Sequence, residues 1–340
     1  MLRSKNIPAD PTNLINYLRN HFKEQRIICA YEAGPTGFGL YDALTTANIP
    51  CLVVAPTTLS RKPNQKVKND RINSRKLAKD LKAGELASIH VPLGHWRQLR
   101  SLVRTYQIYI NSRTAIKCRI KSLMLLAGLP APDESIKQNW CNPHLQYIKN
   151  LDCHDIYLRQ KIDLFLNDLQ YVRSQCFVAI KQLRQFHNQH PDIIRNVKFL
   201  CSIDGIGFIT ALVILAKIGN PSLLVNQRQI ASFIGIVPSE HSSGELILKG
   251  SITRMGDTYL RSMIIESSWV AIRKNKILEK FFSRIKDLHH PSFAKRKAIM
   301  AVARKLTLYI YCVLKQQRPF MVYLLSSGNI DLLEFVNSPF

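Results

Sequence analysis

CAYEAGPTGFGLYDAL, residues 29–44, runs from a β-like segment through a glycine-rich turn into a helix. RIICAYE reads as a strand, GFGLYDALTTANI as a helix and PCLVVAPTTL as a second strand, so the stretch predicts a β-α-β unit of a parallel sheet. A single carboxylate, Glu32, closes the first strand.

That acid is conspicuous because the chain is strongly basic, with 48 Lys and Arg against 23 Asp and Glu and a formal charge of +25 over 340 residues. Such an excess points to a polyanionic partner, and nucleic acid is the commonest one, since each neutralised phosphate releases condensed counterions. No apolar run approaches the roughly 18 residues that span a bilayer, so a soluble, cytosolic protein without membrane contact is expected. A hydrophobic content of 46% means that the charge decorates a folded chain rather than a tail. The eight cysteines include no CxxC pair. Cys141, His144, Cys153 and His154 are zinc-type ligands by chemistry, but the adjacent Cys-His pair lacks the usual spacer, and reduced thiols are the better reading.

Three zones follow from the patterning, at 1–94, 95–190 and 191–340. After the β-α-β unit, a basic loop leads to a helix opening near Asp70 and stopping around Gly84, and ASIHVP reads as a third short strand. Two long helices, from about His95 to Ala127 and from about Asp155 to His187, flank a proline-rich break and suggest an antiparallel hairpin. The last zone is helical and punctuated by glycines.

Glu32 at a strand end and Asp70 at a helix start could converge to hold Mg²⁺ for phosphoryl transfer. Lys66, Lys68, Arg71 and Arg75 around Asp70 would grip the phosphate backbone there; a capped helix with a solvated basic face fits the same residues. In IDGIGFITA, Gly205 and Gly207 resemble the turn of a helix-hairpin-helix DNA binder, where small residues let backbone N–H groups approach a phosphate; a tight helix-helix turn explains them equally. PSEHSSGE, residues 238–245, sets Ser243 beside Gly244, a setting that presents a hydroxyl to a bulky phosphodiester as a nucleophile must. Lys249, Arg254 and Arg261 are candidate clamps for charge on phosphorus. The bland counterpart is a surface turn.

Taken together, YEAGPTGFGLYDAL, VVAPTTLSRKPNQKVKNDR with RKLAKDLKAGEL, SIDGIGFITALVILAKIG, FIGIVPSEHSSG with ITRMGDTYLRSMIIESSW, and AIMAVARKL resemble the DEDD-type transposases of bacterial insertion sequences, the IS one-ten type, related to the Piv DNA invertase. The resemblance spans nearly the whole chain. It implies an α/β plus α architecture: a RuvC-like, RNase H-type N-terminal domain, a long helical coiled-coil insertion, and a mainly helical C-terminal transposase domain with a helix-hairpin-helix-like segment and a nucleophilic serine. It implies Mg²⁺ as cofactor, DNA as substrate, a guide (bridge) RNA that pairs with donor and target DNA, and a homo-oligomer. By motif matching, Glu32 falls on the family's glutamate, Asp70 on the first member of its Asp-x-x-Asp pair, and Ser243 on its serine.

Two departures bear on the metal site. The pair's second acid is Asn73, whose amide oxygen brings no charge. The family's opening strand, with its first aspartate, has no counterpart before PTNLINYLRNHF, which suggests an N-terminally shortened copy with a weakened first domain. Two functions are therefore expected in competition: an active transposase or recombinase, and a catalytically inactive remnant that only binds nucleic acid.

Overall fold

The computed structural model describes residues 5–23, 25–34, 37–56, 70–132, 136, 139–153, 155–224, 226–240 and 249–320. The chain divides into two compact units, Met1–Leu93 and Gly94–Phe340.

In the first unit, Asp10 caps α1 (Pro11–His21) by accepting from Thr12 N at 3.0 Å, with proline at the first helical position, where a missing N–H costs nothing. β1 (Cys29–Glu32), α2 (Gly39–Thr46) and β2 (Cys51–Val54) form the expected β-α-β unit, since parallel strands need a crossover between them. The strands pair in parallel, with Cys29 opposite Cys51 and Glu32 opposite Val54. Leu18, Leu44 and Ile49 are buried between α1, α2 and the sheet. α3 (Asp70–Ala83) packs against β1. Burial pushes the thiols of Cys29 and Cys51 upward, Cys51 to about 11 with a further contribution from Cys29, so both stay protonated near neutrality.

The third strand expected at ASIHVP is reduced to one bridge, between Ser88 and Val54, with Ile89 N donating to Val53 O at 2.7 Å.

The second unit is almost wholly helical. It opens with α4 (His95–Leu126), α5 (Asn142–Asn150) and α6 (Ile156–Gln189), the last capped by Asp155, which accepts from Tyr157 N at 2.8 Å. Leu99 and Val103 share one apolar cluster with Leu183 and Phe186, whereas Ile116 and Ile120 share a second with Ile162, Leu166, Leu169 and Val172. The start of α4 therefore meets the end of α6, and the two run antiparallel. Ile120 is fully buried in that second cluster. Ile120→Ala is expected to lower the stability of this unit by about 2–5 kcal/mol, read as a shift of the denaturation midpoint.

α7 (Pro191–Cys201) and α8 (Phe208–Ile218) follow, then a 3-10 turn at Pro221–Leu223, α9 (Gln227–Ile234), the strands β3 (Pro238–Glu240) and β4 (Lys249–Ile252), and the helices α10 (Thr258–Lys274), α11 (Lys276–Asp287) and α12 (Pro291–Gln316). Six consecutive residues of α8, Ala211–Ala216, are buried, as befits a helix covered on all sides by α4, α7 and α10.

Where α11 meets α12, Lys305 Nζ lies 4.4 Å from the centre of the Phe281 ring and the Arg284 guanidinium 5.5 Å from it. Burial, with Arg284 adding repulsion, lowers the Lys305 ammonium from 10.5 to about 8. The folded chain then holds this proton more weakly than the unfolded one, so stability rises with pH between about 8 and 10.5. Lys305→Met is expected to flatten that rise in denaturation midpoints measured across the same window.

Candidate nucleic-acid and catalytic site

The first unit places Glu32 at the carboxyl end of β1, the edge where open α/β sheets bind their ligands. The side chain is half-buried, and the chain leaves the neighbouring strand at the same edge, after Val54. Asp70 is the first residue of α3, and Asn73 lies one turn on and is half-buried. Because α3 contacts β1, one small unit carries all three. Their donors are all oxygen, which suits a hard cation such as Mg²⁺, and Glu32 and Asp70 supply the negative charge. Lys66 and Lys68 lie outside the described residues, and Arg71 belongs to the first turn of α3. Among the described residues no three His, Cys, Asp or Glu side chains form a metal cluster. The zinc-type set is otherwise engaged: His144 is buried with Nδ1 accepting from Trp140 N at 3.0 Å, Cys153 Sγ donates to Leu151 O, and His154 lies outside the described residues.

The second unit supplies the paired strands on either side of the segment that holds Ser243. β3 and β4 pair antiparallel, Pro238 with Ile252 and Glu240 with Lys249, and residues 241–248 join them outside the described residues. Ser243 is therefore tethered by a hairpin whose base is fixed. Thr253 N donates to Val237 O at 2.8 Å, Arg254 N to Gly235 O at 3.3 Å and Asp257 N to Phe233 O at 3.0 Å. Gly235 (φ +75°) ends α9, and a Cβ there would meet Arg261 NH1 at 2.7 Å. A Cβ on Gly256 would strike Phe233 O and come within 2.7 Å of Gly235 N. The two glycines thus let the end of α9 and the approach to α10 touch backbone to backbone.

Arg261 locks this junction. It is 9% exposed, and its guanidinium donates to Ile234 O at 2.9 Å, the end of α9, and to Thr258 Oγ1 at 3.3 Å. Asp257 caps α10 by accepting from Leu260 N at 2.8 Å and pairs with Lys217 at 2.8 Å. Lys249 is in β4 beside the tether, and Arg254 is exposed next to it with a left-handed backbone, φ 56°.

Gly205 and Gly207 divide their work. Gly205 (φ +91°) is pressed on α10, where a Cβ would strike Ser267 O and come within 2.9 Å of Ala271 N. Gly207 caps the start of α8 without a side-chain bond, is exposed, and faces open space where a Cβ would stand.

Two parts of the chain match models of a known family. The model described as Transposase IS116/IS110/IS902 family matches residues 197–283, and the DEDD transposase model of the IS110 type matches residues 2–128. The chain belongs to the IS110 family of transposases. It is 26% identical to y4qE of Sinorhizobium fredii, named as a transposase, over 88% of this chain and 75% of that protein. It is likewise 26% identical to the transposase for insertion sequence element IS1111A of Coxiella burnetii, over 82% of this chain and 75% of the relative. The pilin gene-inverting protein of Moraxella bovis is 32% identical over 41% of this chain and 43% of its own length.

Within this transposase, Glu32, Asp70 and Asn73 share the first unit, whereas Gly205, Gly207, Lys249, Arg254 and Arg261 share the second with the tether of Ser243. Sequence reading passed over Gly235, Gly256, Asp257 and Lys217. The signal for Asp257 was present, as Gly-Asp before an apolar helical run is an N-cap pattern; the glycine pair reveals itself only when α9 and α10 meet in space. Among the described residues, no helix is long and apolar enough to cross a membrane.

Proposed function

We propose that this transposase cuts and rejoins DNA through Ser243. The reading is supported by the tether: β3 and β4, anchored by the Gly235–Gly256 contact and by Arg261, flank the eight residues 241–248, in whose sequence a serine stands beside a glycine. In the reaction, Ser243 Oγ attacks a backbone phosphorus and loses its proton. The P–O bond to the leaving strand breaks, that oxygen takes up a proton, and a serine–phosphate–DNA diester remains. A hydroxyl from the second DNA end then attacks the diester, joins that end and returns the serine.

Arg254 and Lys249 would neutralise charge growing on the phosphoryl oxygens, and Arg261 would act by holding the junction of α9 and α10. Glu32, Asp70 and Asn73 would hold one divalent cation, most readily Mg²⁺, which when bound polarises a phosphoryl oxygen. Gly207 leaves the α8 amides open to a DNA phosphate, in keeping with a helix-hairpin-helix-like segment after α7. We assign the first unit to a RuvC-like domain on its β-α-β core with Glu32 at the carboxyl edge. Choice of sequence is assigned to a guide RNA that pairs with donor and target DNA, and the reaction to an oligomer acting in the bacterial cytoplasm.

One observation favours a second reading, a remnant that binds nucleic acid without cutting it: the neutral Asn73 stands where the motif carries an acid. Incubation with duplex element ends, guide RNA and Mg²⁺ separates the two. Cleaved and joined strands that vanish with EDTA and diminish in Glu32→Gln support the transposase; salt-sensitive binding with no product under any metal supports the remnant.

A further inference from the structure

α4 carries seven Lys and Arg residues and no Asp or Glu. Arg100, in its first half, has a structural task, donating to Ala216 O and Lys217 O, carbonyls of the last turn of α8, at 3.0 Å each. The second half is different. Arg113, Lys117 and Lys121 recur every four residues, on one stripe about 12 Å long at 1.5 Å per residue, and Arg173 of α6 faces them closely enough to act on Lys117. Lys117 and Lys121 stand 5.3 and 6.0 Å from the centre of the Trp140 ring. Among the described residues, none of the four cations is in an ion pair.

We propose that Arg113, Lys117, Lys121 and Arg173, with Trp140 beside the two lysines, clamp the phosphate backbone of duplex DNA on the helical hairpin. The inference takes its class of partner from the reading above but concerns a surface remote in sequence from Ser243, built on the second apolar cluster rather than on the one that carries the tether. Four like charges within a Debye length repel one another, and burial together with Arg113, Arg173 and Lys121 lowers the Lys117 ammonium. Folding gains little from such a cluster, whereas a polyanion offsets its repulsion and releases counterions. The ring orients two of the cations. The same ring bears on the choice of nucleic acid: half-buried against the second apolar cluster, edge-on to His144 and with two lysines near it, Trp140 is already engaged and is a poor platform for stacking splayed bases, the main means of gripping looped RNA or single strands. A straight row of cations on one helix instead follows a backbone that borders the wide major groove of B-DNA.

The test uses the full chain, a labelled duplex, and salt varied between about 50 and 200 mM. In Lys117→Gln/Lys121→Gln/Arg173→Gln, the slope of log affinity against log salt is expected to become shallower by about two to three, with Tm unchanged or raised because repulsion is relieved. Lys117→Arg/Lys121→Arg keeps the wild-type slope, and Lys121→Gln alone, at an exposed position that folding tolerates, makes it shallower by about one. An unchanged slope, or a loss confined to a stem-loop RNA probe, overturns the clamp while leaving the transposase reading intact. A wild-type chain that binds no duplex overturns both.

Discussion

Gly205→Ala is expected to cost the second unit on the order of 3–5 kcal/mol, a large part of the stability of an ordinary domain. Two penalties coincide at this position. The backbone is at φ +91°, which an L side chain rarely adopts, and the new Cβ would collide with Ser267 O and crowd Ala271 N. Both neighbours belong to the backbone of α10, so nothing flexible can turn aside. α10 in turn packs on α8, α11 and α12, and its displacement would spread through the main apolar cluster. Gly207→Ala is the matched control, two residues on, with nothing within 4 Å of its new Cβ. It should shift the denaturation midpoint far less. Equal losses at the two glycines would mean that the contact with α10 does not govern the turn.

Ser243→Ala is expected to lower strand joining by on the order of 10⁴-fold or more while leaving duplex binding unchanged. The size follows from the role: no neighbouring group replaces a nucleophile that must bond to phosphorus. Binding persists because the cations stay, Arg254 and Lys249 beside the tether among them. Ser242→Ala serves as the comparison, since it precedes the Ser-Gly pair. Loss of joining in Ser242→Ala with wild-type rates in Ser243→Ala would move the nucleophile by one residue. Loss of duplex binding in Ser243→Ala would show that the substitution had disturbed the hairpin and not the chemistry.

Much of the first unit was legible in the chain. The apolar run Cys29–Glu32, the glycines before α2 and the run Cys51–Val54 have the periods and breaks of a β-α-β unit, and the structure has that unit. α3 begins at Asp70 and ends just before Gly84, where a left-handed glycine (φ +74°) follows the helix, and Asp155 caps α6 as its side-chain chemistry favours. The mainly helical second unit was equally plain from its 3.6-residue patterning. The β3–β4 hairpin was not, because Pro-Ser-Glu and Lys-Gly-Ser-Ile show neither alternation nor β-branched enrichment; their pairing is imposed by the anchored ends of α9 and α10. Nor could the sequence say that Arg261 would be buried against Ile234 O, for a guanidinium reads as a surface cation until its acceptor 27 residues away is in place. The row Arg113, Lys117, Lys121 was visible at four-residue spacing; Arg173, which completes it, joins only through the antiparallel contact of α4 with α6.

The most direct measurement is of the bond itself. The chain is incubated with labelled element-end DNA, guide RNA and Mg²⁺, stopped in denaturant and digested, and the peptide that retains the label is sequenced by mass spectrometry. The expected result is a nucleotide linked to the peptide containing Ser243, absent from Ser243→Ala. Joined DNA formed with no protein-linked intermediate, or a label carried by another residue, would contradict it.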